Sequence, residues 1–242
     1  MDEVRVSRHI GDTYENYYAD ADSEWRRLGA IGKVDNIMSL CGDLPRRSVL
    51  EIGAGEGSIL KRLSDSGFGE ELYALEISPS AVAAIQSKAI SRLAECRIFD
   101  GYHIPYPDGR FELAILSHVI EHVEHPRLLL YEASRVATYV FVEVPLEDTI
   151  RMPSDFTPDS VGHINFYSPK TFRRLVQSCG LRVLGQRITN RPKETYTYRE
   201  GRKGLVNYWI KQALLVVVPV LAMELFTYHG ALVCETSSRP AR

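Results

Sequence analysis

Two sets of residues in this sequence could do chemistry. One is a glycine run, Gly53, Gly55 and Gly57, directly after the apolar residues Val49, Leu50 and Ile52. The other is a series of histidines, His118, His122, His125 and His163, set in polar stretches between apolar runs. Glycine permits a turn with positive φ and lets a ligand approach the backbone where a Cβ would block it. Unpaired N–H groups at the start of a following helix then face whatever sits in front of it. Histidine titrates near neutral pH, so it suits a general base acting on a hydroxyl or amine. The combination points to a nucleotide-like ligand with a proton-accepting group nearby.

Spacing narrows both sets. Glu76 follows the apolar run Leu72–Leu75, 21 residues after Gly55, where a carboxylate can accept from both hydroxyls of a ribose. A nicotinamide or flavin site asks for Gly-x-Gly-x-x-Gly/Ala. Here Ser58 occupies the third glycine position, and no second mononucleotide half follows, so a nicotinamide-dependent oxidoreductase is disfavoured. His118 and His122 stand four apart and share a face if their segment is helical. That spacing also suits a metal pair, but Glu121 does not complete a His-Glu-x-x-His arrangement, and no metal is expected. His163, in Gly162-His-Ile-Asn-Phe-Tyr167, fits a structural role as well as a catalytic one, and Glu143 is a further pocket-facing candidate.

The elements that must position these groups alternate. A helix is expected over 25–42, then strands over 48–52, 72–76, 94–99, 111–117 and 139–144, the last stopped by Pro145. Helices are expected over 57–66, from Ser80 with Ser78 or Ser80 as cap, and over 127–135. Residues 146–165 read as a loop or lid, 168–180 as a capped helix ending at glycine, and 181–184 and 230–235 as the last strands. Residues 189–228 are mixed and carry no readable code. Alternating strands and helices imply an α/β, doubly wound, Rossmann-like sheet. One domain over 1–242 is expected, with an arm and lid helix (1–42), a cofactor-binding half (43–145) and a substrate-side half (146–242).

Composition bounds the partners. At 242 residues with 45% hydrophobic content the chain can bury a substantial core. A net charge of −2 does not favour nucleic acid. Cys41, Cys96, Cys179 and Cys234 are scattered without zinc spacing, and the N-terminus lacks an apolar leader, so a cytoplasmic location is expected. The run Ala213–Met223 is apolar but far short of the roughly 20 residues a span needs. It reads as a buried element or lid helix, with membrane-surface contact through 205–224 as the minority alternative.

Glu51-x-Gly53-x-Gly55-x-Gly57 resembles the first motif of the class I S-adenosylmethionine-dependent methyltransferases, in their small-molecule branch. Glu76-Ile77, Asp100-Gly101 and Ser117-His118-Val-Ile-Glu-His-Val-Glu-His-Pro126 resemble later motifs of that family in order, over about 48–144. The resemblance implies a seven-stranded, mostly parallel sheet with an antiparallel last strand, and S-adenosyl-L-methionine as cofactor. It implies that Glu51, Gly53 and Gly55, with Ala54 and Gly57 of the same turn, hold the amino-acid end. Glu76 would bind the ribose, Ile77 would pack on the adenine, and Asp100, beside Gly101, would accept from its amino group. Ser117 would border the methionine portion, and Tyr14, with Tyr17 or Tyr18, would close over the cofactor.

The expected function is methyl transfer to an oxygen, less so a nitrogen, of a small metabolite or natural product, by a monomer or homodimer. His118, His122 and His163 are the candidate bases. The alternative is a cofactor-binding regulatory or assembly protein without transfer.

Overall fold

The structure is a computed structural model and describes residues 23–157 and 162–236. Within these, α1 (Ser23–Cys41) precedes β1 (Ser48–Ile52), α2 (Ser58–Asp65), β2 (Glu71–Glu76), α3 (Pro79–Ser87) and β3 (Leu93–Ile98). Then follow β4 (Phe111–Ser117), α4 (Pro126–Val136), β5 (Ala137–Leu146), α5 (Pro169–Ser178) and β6 (Leu181–Thr189). The long α6 (Lys193–Val217) and short α7 (Pro219–Leu225) lead into β7 (Tyr228–Thr236). The arm carrying Tyr14, Tyr17 and Tyr18 lies outside the described residues.

The seven strands form one sheet in the order β3-β2-β1-β4-β5-β7-β6. Strands β1 to β5 pair in parallel, and β7 runs antiparallel to both β5 and β6. Every residue of β1 is buried, because helices cover both faces. Leu50 and Ile52 join one core with α4 and α5, while Val49 joins the other with α1, α2 and α3. The chain leaves β1 toward β2 and β3, then returns to the opposite side at β4. The loops after β1 and β4 therefore part, and the crevice between them is where such a sheet takes ligands.

Two expectations need correction. First, Pro145 does not stop the fifth strand, which runs to Leu146. The Glu143 carbonyl accepts from the His118 N–H on the β4 side, so Pro145, two residues on, faces that side too. There β4 has ended at Ser117, and no ladder hydrogen bond is lost. The segment from His118 to His122 is a turn, in keeping with its polar setting between apolar runs. Second, the apolar run is helical but not buried. In α7 only Ala222 is buried, while Val216, Val217 and Val220 are 72%, 75% and 71% exposed.

The 189–228 segment docks by a few anchors. The Lys211 ammonium donates to the Thr227 carbonyl at 2.7 Å, and the Tyr228 hydroxyl donates to the Lys211 carbonyl at 2.8 Å. Arg199 stacks over the Trp25 ring at 3.9 Å, tying α6 to α1. Gly201 breaks α6 with φ 59 and ψ −136, which only glycine adopts readily. Among the described residues no helix is long and apolar enough to cross a membrane.

Candidate active site

The glycine turn is fixed by backbone bonds to β2. Gly53 and Ala54 both donate to the Leu75 carbonyl, at 2.8 and 3.1 Å. All three glycines have positive φ, and a Cβ at Gly53 would lie 2.7 Å from the Val119 side chain. The glycine turn therefore packs directly on the loop after β4. Glu76 is buried at the end of β2; it accepts from Gly55 N–H at 2.7 Å and from Ile77 N–H at 2.7 Å. Capping of α3 falls to Ser78, which accepts from Ala81. At the tip of β3, Asp100 Oδ1 accepts from the backbone of Tyr102 and His103, at 2.8 and 2.7 Å.

Glu51 Oε2 at the end of β1 and Ser117 Oγ at the end of β4 are buried with no hydrogen-bond partner among the described residues. Such orphans in a folded protein ask for a ligand or water. Burial pushes the Glu51 carboxyl up to about 8, against the pull of Lys33. Burial also pushes the Lys33 ammonium down, although Glu143, Glu121 and Glu51 all attract it. An ammonium group on a ligand would satisfy Glu51 and return it to the carboxylate form.

The histidines form a chain of contacts with carboxylates across the ends of β4, β5 and β7. His118 is the one non-glycine residue with positive φ (59) among the described residues, a strained conformation of the sort that clusters at functional sites. Its Nδ1 lies 3.2 Å from Glu121 Oε1 and its Nε2 lies 3.4 Å from Glu143 Oε1. His229, at the start of β7, places Nδ1 3.1 Å from that same Glu143 oxygen. Burial alone would raise Glu143, but the two imidazoles outweigh it and hold the carboxylate below its usual range. The same balance, with His118 and His122, holds Glu121 low. Burial takes His229 down to about 4 and also lowers His122.

A second branch runs outward. His122 Nδ1 lies 3.2 Å from the Gly162 carbonyl, and its Nε2 lies 3.9 Å from Glu121. His163 Nδ1 lies 2.7 Å from Glu147 Oε2. The His122 and His163 rings are 4.7 Å apart. The polar segment 162–165 is held there by the Ile164 and Asn165 N–H groups, both donating to the Glu121 carbonyl. Donor atoms of Glu121, His122 and His163 lie within 4.8 Å of one another, as do those of His118, Glu143 and His229.

A family model described as a methyltransferase domain matches residues 22–186. The chain belongs to the methyltransferase family. It has the class I fold, and its cofactor is S-adenosylmethionine. Among curated relatives, ajmaline N-methyltransferase of Rauvolfia serpentina is 30% identical over 95 residues, covering 38% of this chain and 32% of that protein. Malonyl-[acyl-carrier protein] O-methyltransferase of Halorhodospira halophila is 31% identical over 93 residues, covering 38% of this chain and 31% of its own. The match thus spans about a third of each relative. Geranyl diphosphate C-methyltransferase of Streptomyces coelicolor A3(2), solved with Mg2+, geranyl diphosphate and S-adenosyl-L-homocysteine, superposes with a TM-score of 0.64. It shares 12% identity over 97% of this chain and 100% of that one.

The candidates Glu51, Glu76, Ser117 and His118 stand at or just after the carboxyl ends of β1, β2 and β4, with Tyr14 outside the described residues. His118 and His122 do not share a helix face; they meet through Glu121. His125 falls elsewhere, where its backbone N–H donates to the Tyr102 hydroxyl oxygen at 3.1 Å. Sequence reasoning missed His229, Lys33 and Glu147. It also missed Arg26, which pairs with the buried Glu56 at 2.8 Å and ties α1 to the glycine turn. Each of these depends on a partner at least 16 residues away, so local spacing carries no signal of them.

Proposed function

We propose that this methyltransferase moves the methyl group of S-adenosylmethionine to an oxygen, with nitrogen the lesser fit, of a small metabolite or natural product. One observation carries the reading: an imidazole held between two buried carboxylates stands at the end of β4, beside the glycine turn. The sulfonium is already an activated methyl donor, so the protein's task is to hold donor and acceptor in line and to take a proton. His118 is the base. Glu121 and Glu143 orient its ring and stabilise the charge it gains. His122 and His163 line the acceptor side.

On the cofactor side, Glu51 pairs with the amino group of the methionine end. The backbone of Gly53, Ala54, Gly55 and Gly57 leaves room for it, and Ser117 closes that end. Glu76 receives the ribose hydroxyls, Ile77 packs on the adenine, and Asp100, beside Gly101, accepts from the adenine amino group. Tyr14 covers the cofactor from the N-terminal arm.

The acceptor's class rests on a separate observation. Val206, Trp209, Ile210, Val216 and Val217 are exposed at helical intervals along α6. No carboxylate occurs between Glu200 and Glu224, and Arg199, Arg202 and Lys203 stand at one end of the stripe. A basic end, an apolar face and an interfacial tryptophan suit the surface of an anionic bilayer. The Ile150 N–H donates to the Glu224 carbonyl at 3.0 Å, which brings the loop bearing exposed Ile150 and Phe156 against α7. That loop begins at Glu147, the partner of His163. An acceptor with an apolar part, drawn from a lipid surface, fits this arrangement.

The test is calorimetry with S-adenosylmethionine and S-adenosylhomocysteine, followed by transfer of a labelled methyl to a panel of hydroxylated apolar acceptors. Low-micromolar binding of both ligands is expected. Absence of binding removes the reading. Binding with no transfer to any acceptor leaves a cofactor-binding protein of another role.

A further inference from the structure

The outward branch of the histidine cluster has a donor set that general-base chemistry does not need. Glu121 is fully buried, and both its oxygens lack a hydrogen-bond partner among the described residues. Its neighbours are imidazoles, His118 Nδ1 at 3.2 Å and His122 Nε2 at 3.9 Å, and they hold it in the carboxylate form. A buried carboxylate is costly unless a cation or donor reaches it.

The imidazoles beside it are oriented in a particular way. His122 Nδ1 must donate to the Gly162 carbonyl, because a carbonyl oxygen only accepts. The neutral ring then carries its lone pair on Nε2, the nitrogen 3.9 Å from Glu121. His163 directs Nδ1 to the Glu147 carboxylate at 2.7 Å, which sets the same tautomer. A ring N–H donated to a carbonyl or carboxylate is the support that metal-binding histidines receive from their surroundings, and donor atoms of Glu121, His122 and His163 lie within 4.8 Å of one another.

We propose that Glu121, His122 and His163 bind a divalent transition-metal cation of the zinc or cobalt type. Two imidazoles and one carboxylate leave a coordination position open, as catalytic zinc sites do. Carboxylate-only sites suit magnesium or calcium, whereas imidazole favours the later divalent ions. The proposal overturns the expectation from spacing, because one of the three ligands lies about forty residues beyond the other two. The competing set, His118, Glu143 and His229, contains the imidazole that serves as the base, whose lone pair a cation would occupy.

The cation would hold the acceptor's oxygen and lower its pKa. The hydroxyl proton passes to His118. The oxygen lone pair forms the new C–O bond as the methyl–sulfur bond breaks, and its electron pair returns to sulfur. This role rests on the transfer reading above, whereas metal binding itself does not.

The test uses the full chain after dialysis against EDTA. Titration with CoCl2 is followed by visible absorption, and with ZnCl2 by elemental analysis after gel filtration. One ion per chain is expected, with zinc displacing cobalt. His163→Asn and Glu121→Gln should each weaken binding by about tenfold or more, and Glu147→Gln, which leaves the ligands intact, should also weaken it within the roughly 10–100-fold range of supporting groups. S-adenosylmethionine binding is measured on the same samples and should persist in all three variants. No saturable cobalt or zinc binding by the unaltered protein overturns the proposal. So does binding that all three variants leave unchanged. Metal failure with intact cofactor binding discards this inference and spares the methyltransferase reading; the reverse result discards that reading and spares the metal site.

Discussion

The two sides of the crevice handle charge by different means. On the β1–β2 side, backbone amides do the work: Gly55 and Ile77 hold Glu76, and the turn hangs on the Leu75 carbonyl. On the β4–β5–β7 side, side chains hold side chains, in the order His229, Glu143, His118 and Glu121. A backbone cradle tolerates many neighbours but few changes to its own glycines. A side-chain relay tolerates backbone change but not the loss of a ring. The first arrangement suits a ligand common to a family, the second a ligand particular to this chain.

Breaking the relay should have the largest effect. Asparagine accepts positive φ better than most residues, so His118→Asn keeps the turn while removing the base. Turnover should fall by about 10²–10⁴-fold, the usual contribution of a general base. Cofactor affinity should stay within about twofold, since 1.4 kcal/mol corresponds to tenfold and no cofactor contact is lost. Steady-state kinetics with calorimetry on one preparation checks both, and unchanged turnover would remove His118 from the base role.

Gly53→Ala attacks the cradle instead. A methyl group there meets Val119 at 2.7 Å, in a backbone conformation that costs an L-residue about 1–2 kcal/mol. Cofactor affinity should drop about tenfold or more, with a lower Tm. An alanine variant that binds S-adenosylhomocysteine like the parent would show that the turn does not touch the ligand.

Glu51 sharpens the comparison through pH. Burial raises its carboxyl to about 8, from an ordinary 4.5. The free protein therefore holds a proton at Glu51 that the unfolded chain has lost, so this group's contribution to stability declines as pH rises from about 4.5 to about 8. Pairing with the cofactor's ammonium favours the carboxylate, so binding at pH 7 should release close to one proton, and affinity should increase as pH climbs toward 8. Calorimetry in phosphate and in Tris reads the proton directly. Glu51→Gln should abolish the release; if the unaltered protein releases none, Glu51 does not meet the ammonium.

The same contrast explains what was legible. The glycine turn, Glu76 and the parallel strands were readable because their partners lie within one strand–turn–helix unit or its neighbour. Pro145 misled because a proline's effect depends on whether a strand lies on its N–H side, and here β4 has ended. His229 and Lys33 were invisible, since what brings them to the cluster is the insertion of β7 beside β5 and the packing of α1 on the sheet. The 189–228 segment was unreadable for another reason. Its apolar residues recur at helical intervals, but the apolar face points outward, and Gly201 interrupts the pattern.

That outward face gives the smallest expected effect. Trp209 is 61% exposed and Val217 is 75% exposed, so Trp209→Ala and Val217→Asp should change folding stability by no more than about 0.5 kcal/mol. If the stripe rests on a bilayer, each should reduce binding to phosphatidylglycerol-containing vesicles several-fold, and added salt should reduce it further, because Arg199, Arg202 and Lys203 contribute by charge. Vesicle flotation measures this, with neutral phosphatidylcholine vesicles as the comparison. Gel filtration at increasing protein concentration addresses the competing occupant, a second copy of the chain. If the protein does not float with either vesicle and both substitutions shift it from dimer to monomer, the face belongs to self-association, and the acceptor need not come from a lipid surface.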